Sequence, residues 1–111
     1  MKNKKYEIIW SPKAYRNIQK IYAFTLEKLG NERYAIKIVK KILKAINSLR
    51  LFPFMYPKIY IDRKFKRQLR RATVGKYAVI YEVKNNKILI LYIFHENQNY
   101  SNLLLNQENL N

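Results

Sequence analysis

Hydrophobic positions in the first half of the chain recur at helical spacing. Between residues 12 and 29, apolar side chains return every three or four positions, which is the period of one face of an α-helix. A second and more regular stripe of this kind runs from Ala35 to Leu49. The expected boundary residues are Ser11 with Pro12, Gly30 and Asn31. Because the connection between them is so short, we expect the two helices to form an antiparallel hairpin.

In the second half the period changes from helical to strand-like. Residues 68–74 and 77–84 are expected to pair around a tight turn at Gly75, and Asn85 with Asn86 should form a second two-residue turn. The strand that follows, residues 88–94, is apolar on both faces and is therefore expected near the centre of the sheet. The pattern predicts a three-stranded antiparallel meander.

Three further segments complete the predicted fold. Residues 6–10 are rich in β-branched and aromatic side chains and should form a first strand, while residues 51–60 contain two prolines and should form a packed, irregular connection. Residues 100–104 could form a short C-terminal helix. We therefore predict an α+β fold, β-α-α-β-β-β, in which the N-terminal strand, the helical hairpin and the meander share one sheet.

Length and composition exclude several classes of protein. The 111 residues support one domain, expected at residues 1–105, with a polar tail at residues 106–111. The absence of cysteine excludes disulfides. Together with the presence of only one histidine it argues against a metal site, and we expect no cofactor. No signal peptide precedes the first strand and the longest apolar run is too short for a membrane span, so a cytoplasmic protein is expected.

Positive charge is concentrated in one stretch. The chain has 23 Lys and Arg against 7 Asp and Glu, a net charge of +16. Frequent Lys, Asn, Ile and Tyr are typical of an AT-rich genome, but such a bias does not cluster arginines. We call the following cluster the basic run: Arg63, Lys64, Lys66, Arg67, Arg70 and Arg71. The basic run predicts a docking surface for nucleic acid or an acidic protein. A charged face that contacts only solvent is an equally weighted alternative.

An anionic membrane is a further possible partner for so basic a chain. The second helix is basic and amphipathic, as interfacial helices are. Its apolar stripe, however, is needed for the core of so small a domain. We therefore expect no membrane binding.

Short motifs, in the order in which they occur here, resemble the RelE/ParE superfamily of small bacterial toxins. The matching residues are Tyr6-Glu7-Ile8-Ile9-Trp10-Ser11-Pro12-Lys13-Ala14, Leu29-Gly30, Ala35, Leu49, Pro53, Arg71, Tyr77-Ala78-Val79-Ile80-Tyr81-Glu82-Val83 and Ile88-Leu89-Ile90-Leu91-Tyr92-Ile93-Phe94-His95. The resemblance covers residues 6–104. It implies the toxin of a type II (plasmid-stabilisation-type) toxin–antitoxin pair, neutralised by a cognate acidic antitoxin that covers the basic surface.

The superfamily has two main branches with different targets. ParE-like members inhibit DNA gyrase, whereas RelE-like members cleave mRNA on the ribosome. RelE-like nucleases usually carry an arginine directly after the tyrosine that opens the second meander strand, but here Tyr77 is followed by Ala78. This departure favours the ParE-like branch. A third alternative is a member that only binds its antitoxin and co-represses its operon.

The nuclease alternative assigns chemistry to four residues. RNA cleavage by the neighbouring 2′-OH needs a proton acceptor, a proton donor and a cation at the phosphate. Under the resemblance, His95 would move the proton, Arg71 with Arg70 would hold the phosphate, and Tyr100 would orient or donate. Adjacent strand residues face opposite sides, so only one of Arg70 and Arg71 can share a site with His95. We favour Arg71, which the resemblance also selects. The favoured alternative for His95 is a structural role at the end of a strand.

Overall fold

A computed structural model describes residues 5–62, 64 and 67–97 of the chain. The elements, in chain order, are β1 (Glu7–Trp10), α1 (Pro12–Leu29), α2 (Glu32–Ser48), β2 (Lys58–Asp62), β3 (Arg67–Val74), β4 (Tyr77–Lys84) and β5 (Lys87–His95). The expected α+β fold is confirmed: a strand and two helices are followed by strands of the same sheet. The expected helix at residues 100–104 lies outside the described residues.

Both helices begin and end at the residues that the sequence indicates. The Ser11 side chain accepts a hydrogen bond from the Ala14 amide at 2.9 Å, and Asn31 accepts one from the Tyr34 amide at 3.1 Å. Gly30 ends α1 at a φ of 59°, a conformation that costs glycine little. Neither described helix has an apolar stretch long enough to cross a membrane.

The sheet has five strands in the order β1-β5-β4-β3-β2. β1 pairs parallel with β5, and the other neighbours are antiparallel. β5 therefore has a hydrogen-bonded strand on each edge, in agreement with its expected place inside the sheet. The strand β2 corrects the prediction of an irregular connection through residue 60. Among the described strands it lies at the edge of the sheet and pairs with β3 alone, and its register shifts between Lys58 and Tyr60. Pro57 directly precedes it, at a position where the missing amide hydrogen costs no ladder hydrogen bond.

The two faces of the sheet carry different apolar clusters. Both helices pack on one face, which we call the helix face, where the buried residues include Ala14, Ile18, Ile42, Ile46, Ala72, Val79, Tyr81, Ile90 and Ile93. The opposite face, which we call the outer face, has a second buried cluster formed by Leu69, Ala78, Ile80, Tyr92 and Phe94. Position along a strand therefore decides which of two separate environments a side chain enters.

One irregularity in β5 changes this assignment of faces. Ile80 of β4 pairs with Tyr92, but the next residue, Tyr81, pairs with Ile90, so Leu91 is an additional residue in β5. Such a bulge shifts the alternation of side chains by one position. Beyond Leu91, each side chain of β5 therefore points to the face opposite to the one that strict alternation would give.

Polar side chains from the start of α1 stabilise the bulged part of β5. The pairing with β1 ends where Trp10 lies opposite Ile90. Beyond that point the Ser11 hydroxyl donates to the carbonyl oxygen of Leu91 at 2.9 Å, and the Asn17 side chain accepts from the Ile93 amide at 3.0 Å. These two contacts satisfy backbone groups that a longer β1 would otherwise have paired.

Candidate functional site

The basic run extends from the connection before β3 along the strand itself. Lys64 is exposed in a turn, and Arg67, Arg70 and Arg71 are intermediate in exposure. Arg63 and Lys66 lie outside the described residues. Since side chains alternate along β3, Arg67 and Arg71 lie on the outer face and Arg70 lies on the helix face. The described part of the run is thus divided between two faces.

Arg67 is paired with a carboxylate. Its Nε lies 3.4 Å from Oε1 of Glu82, whose side chain is only 9% exposed, whereas the Arg67 side chain is 37% exposed. A buried carboxylate is stable only when it is paired and hydrogen-bonded. Part of the positive charge of the basic run therefore stabilises the protein's own interior.

Arg71 packs along the outer face of the sheet. Its guanidinium carbon lies 5.7 Å from the centre of the Phe94 ring, within cation–π distance. Its backbone amide donates to the carbonyl oxygen of Pro57 at 3.2 Å. The apolar stem of Arg71 is thereby held over the second cluster while its cation stays near the surface.

Arg70 connects β3 to the segment that follows α2. Its Nη1 donates to the carbonyl oxygen of Tyr56 at 2.7 Å, and its guanidinium carbon lies 5.0 Å from the centre of the Phe54 ring. A charged donor makes a stronger hydrogen bond to a carbonyl than a neutral one does. Arg70 therefore holds this segment against the sheet.

Tyr81 holds the same segment from the neighbouring strand. It lies opposite Arg70 in the ladder, is fully buried, and donates from its hydroxyl to the carbonyl oxygen of Pro53 at 2.8 Å. Burial raises the pKa of Tyr81 from 10.0 to about 12, although the Tyr56 backbone and the Arg70 charge lower it in part. Arg70 and Tyr81 together fix residues 53–56.

The segment so fixed exposes an apolar surface. We call residues 51–55 the apolar connection, in which four large side chains are between 49% and 59% exposed: Leu51, Phe52, Phe54 and Met55. The sequence predicts a packed segment here, and the exposure of these four side chains corrects that prediction. Many large apolar residues surround Pro53, and this density is a sequence signal of the exposed apolar surface. Without periodicity, however, the signal does not distinguish core residues from surface residues. The contact between Phe54 and Arg70 places the apolar connection beside the basic run.

His95 lies at the end of β5, on the helix face. Its ring meets that of Tyr77 edge-on, with centres 5.3 Å apart, and its Nδ1 accepts a hydrogen bond from the Asn97 amide at 3.1 Å. The bulge at Leu91 places His95 on this face, whereas Arg71 lies on the outer face. Tyr100 lies outside the described residues. The described part of the chain does not bring His95 and Arg71 together.

No other arrangement for catalysis is found in the part of the chain that the structure describes. Within residues 5–62, 64 and 67–97, no group of three metal-binding side chains is close enough to hold an ion. A groove between β1 and α2 is lined by Tyr6, Trp10, Leu43 and Arg50, and its one carboxylate is that of Glu7. This groove lacks a pair of groups suited to acid and base roles.

Comparison with known families identifies the chain's relatives. The model for the ParE toxin of the type II toxin–antitoxin system parDE matches residues 8–100 of the 111 residues. The chain belongs to the ParE toxin family. The matched range includes both helices, all four strands from β2 to β5, and most of β1. The expected membership in the RelE/ParE superfamily, on its ParE-like side, is confirmed.

Two solved structures show the same fold as this ParE-family chain. The chromosomal ParDE toxin–antitoxin system from P. aeruginosa matches with a TM-score of 0.67 and 20% identity, over 82% of this chain and 96% of that one. The toxin–antitoxin complex RelBE2 from Mycobacterium tuberculosis matches with a TM-score of 0.51 and 18% identity, over 82% and 98%. No curated protein is similar enough to this chain to give a match.

Proposed function

We propose that this ParE-family toxin inhibits growth by interfering with DNA gyrase and that a cognate antitoxin neutralises it. The observation that carries the proposal is the ParE family match along residues 8–100. A protein that acts on gyrase needs a contact surface but no catalytic group of its own. The basic run and the apolar connection provide such a surface, and the toxin would act in the cytoplasm.

The environment of Ala78 supports gyrase as the target over mRNA. This is the position at which RelE-like nucleases usually carry an arginine. Here Ala78 is fully buried in the second cluster, between neighbours such as Phe94 on the outer face. A cation at the phosphate would have to come from elsewhere, and Arg71 lies on the opposite face of the sheet from His95. The geometry of the described residues therefore offers little for RNA cleavage.

The surface beside Arg70 supports an acidic, amphipathic antitoxin. Protein interfaces commonly combine an apolar centre with a polar border, and opposite charges accelerate association. The apolar connection supplies exposed aromatic side chains, and the basic run borders it through the contact between Phe54 and Arg70. The ParDE and RelBE2 structures both come from toxin–antitoxin systems. We propose that the antitoxin covers Arg70 and the apolar connection together.

Controlled expression in bacteria tests both halves of the proposal. We expect growth arrest together with loss of negative supercoiling in a reporter plasmid, both reversed when a cognate antitoxin is co-expressed. Growth arrest with normal plasmid supercoiling and cleaved mRNA would contradict the gyrase assignment in favour of the endonuclease alternative. Unimpaired growth would leave only the antitoxin-binding co-repressor.

A further inference from the structure

The outward face of α2 is a ridge of positive charge. Arg33, Lys37, Lys40 and Lys44 are all exposed and follow one another at intervals of four, three and four residues. At about 100° per residue these four side chains fall within an arc of about 60°. Lys41 lies beside them, and all five side chains together span an arc of about 100°. The ridge is therefore straight and almost parallel to the helix axis.

The ridge lies directly opposite the apolar stripe of α2. Ala35, Ile42 and Ile46 are at most 2% exposed and pack on the helix face of the sheet. The helix thus has one face fixed in the core and one face whose charged side chains are all cations. Because the apolar face is occupied, α2 has none left to insert into a lipid bilayer, which an interfacial helix requires.

The cations of the ridge have no carboxylate partner in the part of the chain that the structure describes. Glu32 is the single acidic residue in α2. It lies in the first turn, where its negative charge interacts favourably with the helix dipole. Among the described residues, no ion pair joins a carboxylate to any of the five cations. Like charges spaced three and four residues apart repel one another on a helix. Lysine is common in this chain, but a frequency bias alone does not place four cations in one line without a carboxylate.

We propose that the outward face of α2 binds the phosphate backbone of duplex DNA. Arg33 and Lys44 are separated by about 16 Å along the helix axis, a length over which one strand of the duplex presents about five phosphates. The centre of a protein interface is typically depleted in lysine, whereas backbone contacts to nucleic acid are made largely by lysine and arginine. Tyr34, beside the ridge, is the one exposed aromatic side chain of α2, so this helix lacks the series of stacking rings that single strands need.

The shape of the duplex favours DNA over RNA. The major groove of B-form DNA is wide enough to admit an α-helix, whereas that of A-form RNA is deep and narrow. A straight ridge of cations on a helix that projects from the domain can therefore lie along the phosphates that border this open groove. This inference is independent of gyrase, since DNA binding by the ridge could be present or absent whichever enzyme the toxin inhibits.

Salt-dependent binding of a fluorescent 20-bp DNA duplex to the purified chain tests the inference. The test variant is Lys37→Gln/Lys40→Gln/Lys44→Gln, and the matched control is Lys20→Gln/Lys84→Gln/Lys87→Gln. Both remove three positive charges from exposed lysines, so only the position of the charge differs. Thermal unfolding of both variants verifies that each is folded.

Four phosphate contacts predict a slope of about −3.6 in a plot of log K against log salt, which is about a hundredfold loss of affinity between 50 and 200 mM. The α2 variant should lose about 2.7 of that slope, and the control variant should retain it. Equal losses in both variants would show that binding follows net charge alone and would overturn the proposal. Tighter binding of the wild type to an RNA duplex than to the DNA duplex would also overturn the proposal. So would an α2 variant that loses binding to anionic vesicles but still binds DNA.

Discussion

Arg67 and Glu82 form an ion pair on the outer face of the sheet, with Nε and Oε1 3.4 Å apart. The carboxylate is almost fully buried, while the arginine is partly exposed. Removal of the cation should therefore cost more than removal of the anion, because only the first change leaves a buried charge without its partner.

We predict that Arg67→Gln lowers the free energy of unfolding by about 1–2 kcal/mol, a value reduced from that of a fully buried pair because solvent reaches Arg67. Glu82→Gln should cost less, and the double variant should be no worse than Arg67→Gln alone. Urea unfolding of the four proteins at neutral pH measures the cycle. A larger loss in Glu82→Gln than in Arg67→Gln would contradict this interpretation of the pair.

Tyr81 makes stability depend on alkaline pH. Its pKa in the folded protein is raised by burial from 10.0 to about 12. As pH rises above 10, the unfolded chain releases the tyrosine proton before the folded chain does, so the unfolded state is favoured increasingly up to about pH 12. The stability that protonated Tyr81 contributes is fully present below pH 10 and is lost as the pH rises towards 12.

The variant Tyr81→Phe isolates this effect from the titration of the many lysines. At pH 7 it should be less stable by about 1 kcal/mol, since it lacks the hydrogen bond to Pro53. Between pH 9 and 11 the difference from the wild type should shrink, because only the wild type is destabilised by loss of the Tyr81 proton. Urea unfolding at each pH measures the difference, and a constant or growing gap would contradict the raised pKa.

The apolar connection should be a binding surface and not a structural element. Phe52 is 59% exposed there, and Phe24 on α1 is 52% exposed. We predict that Phe52→Ser weakens antitoxin binding at least tenfold, whereas the matched control Phe24→Ser does not, with little change in stability for either. Calorimetric titration of each variant with the antitoxin checks this. Equal affinities of Phe52→Ser and the wild type would exclude Phe52 from the antitoxin surface.

His95 should be dispensable for growth inhibition. Because its ring contacts Tyr77 and its Nδ1 accepts from the Asn97 amide, His95→Ala should cost a little stability but should not abolish toxicity. Growth after induction of the wild type and of His95→Ala, at equal protein levels, measures this. Complete loss of toxicity in a variant shown to be folded would return His95 to a catalytic role.

Much of the fold could be predicted because local signals and long-range packing agree. Ser11, Gly30 and Asn31 mark the helix boundaries by backbone chemistry that acts within three or four residues. The edge strand β2 was missed because its segment follows two prolines, pairs on one side only and shifts register at Lys58. An edge strand is stabilised by its single neighbour, and no local pattern of its own reveals it.

The candidate site was less predictable because one bulge decides its geometry. Strict alternation from Ile88 would place His95 on the same face as Arg71. The additional residue at Leu91 reverses this, and it depends on pairing with β4 and on contacts from Ser11 and Asn17 that lie far away in the chain. The alternation along β3, which has no bulge opposite β4, separates Arg70 from Arg71 as the sequence predicts.

The proposed inhibition of gyrase by this ParE-family toxin can be measured directly with purified components. Relaxed plasmid, DNA gyrase and ATP are incubated with increasing amounts of the toxin, and the supercoiled product is quantified on an agarose gel. We expect supercoiling to fall as toxin is added and to be restored when the antitoxin is present in excess. Undiminished supercoiling at a large molar excess of folded toxin would contradict it.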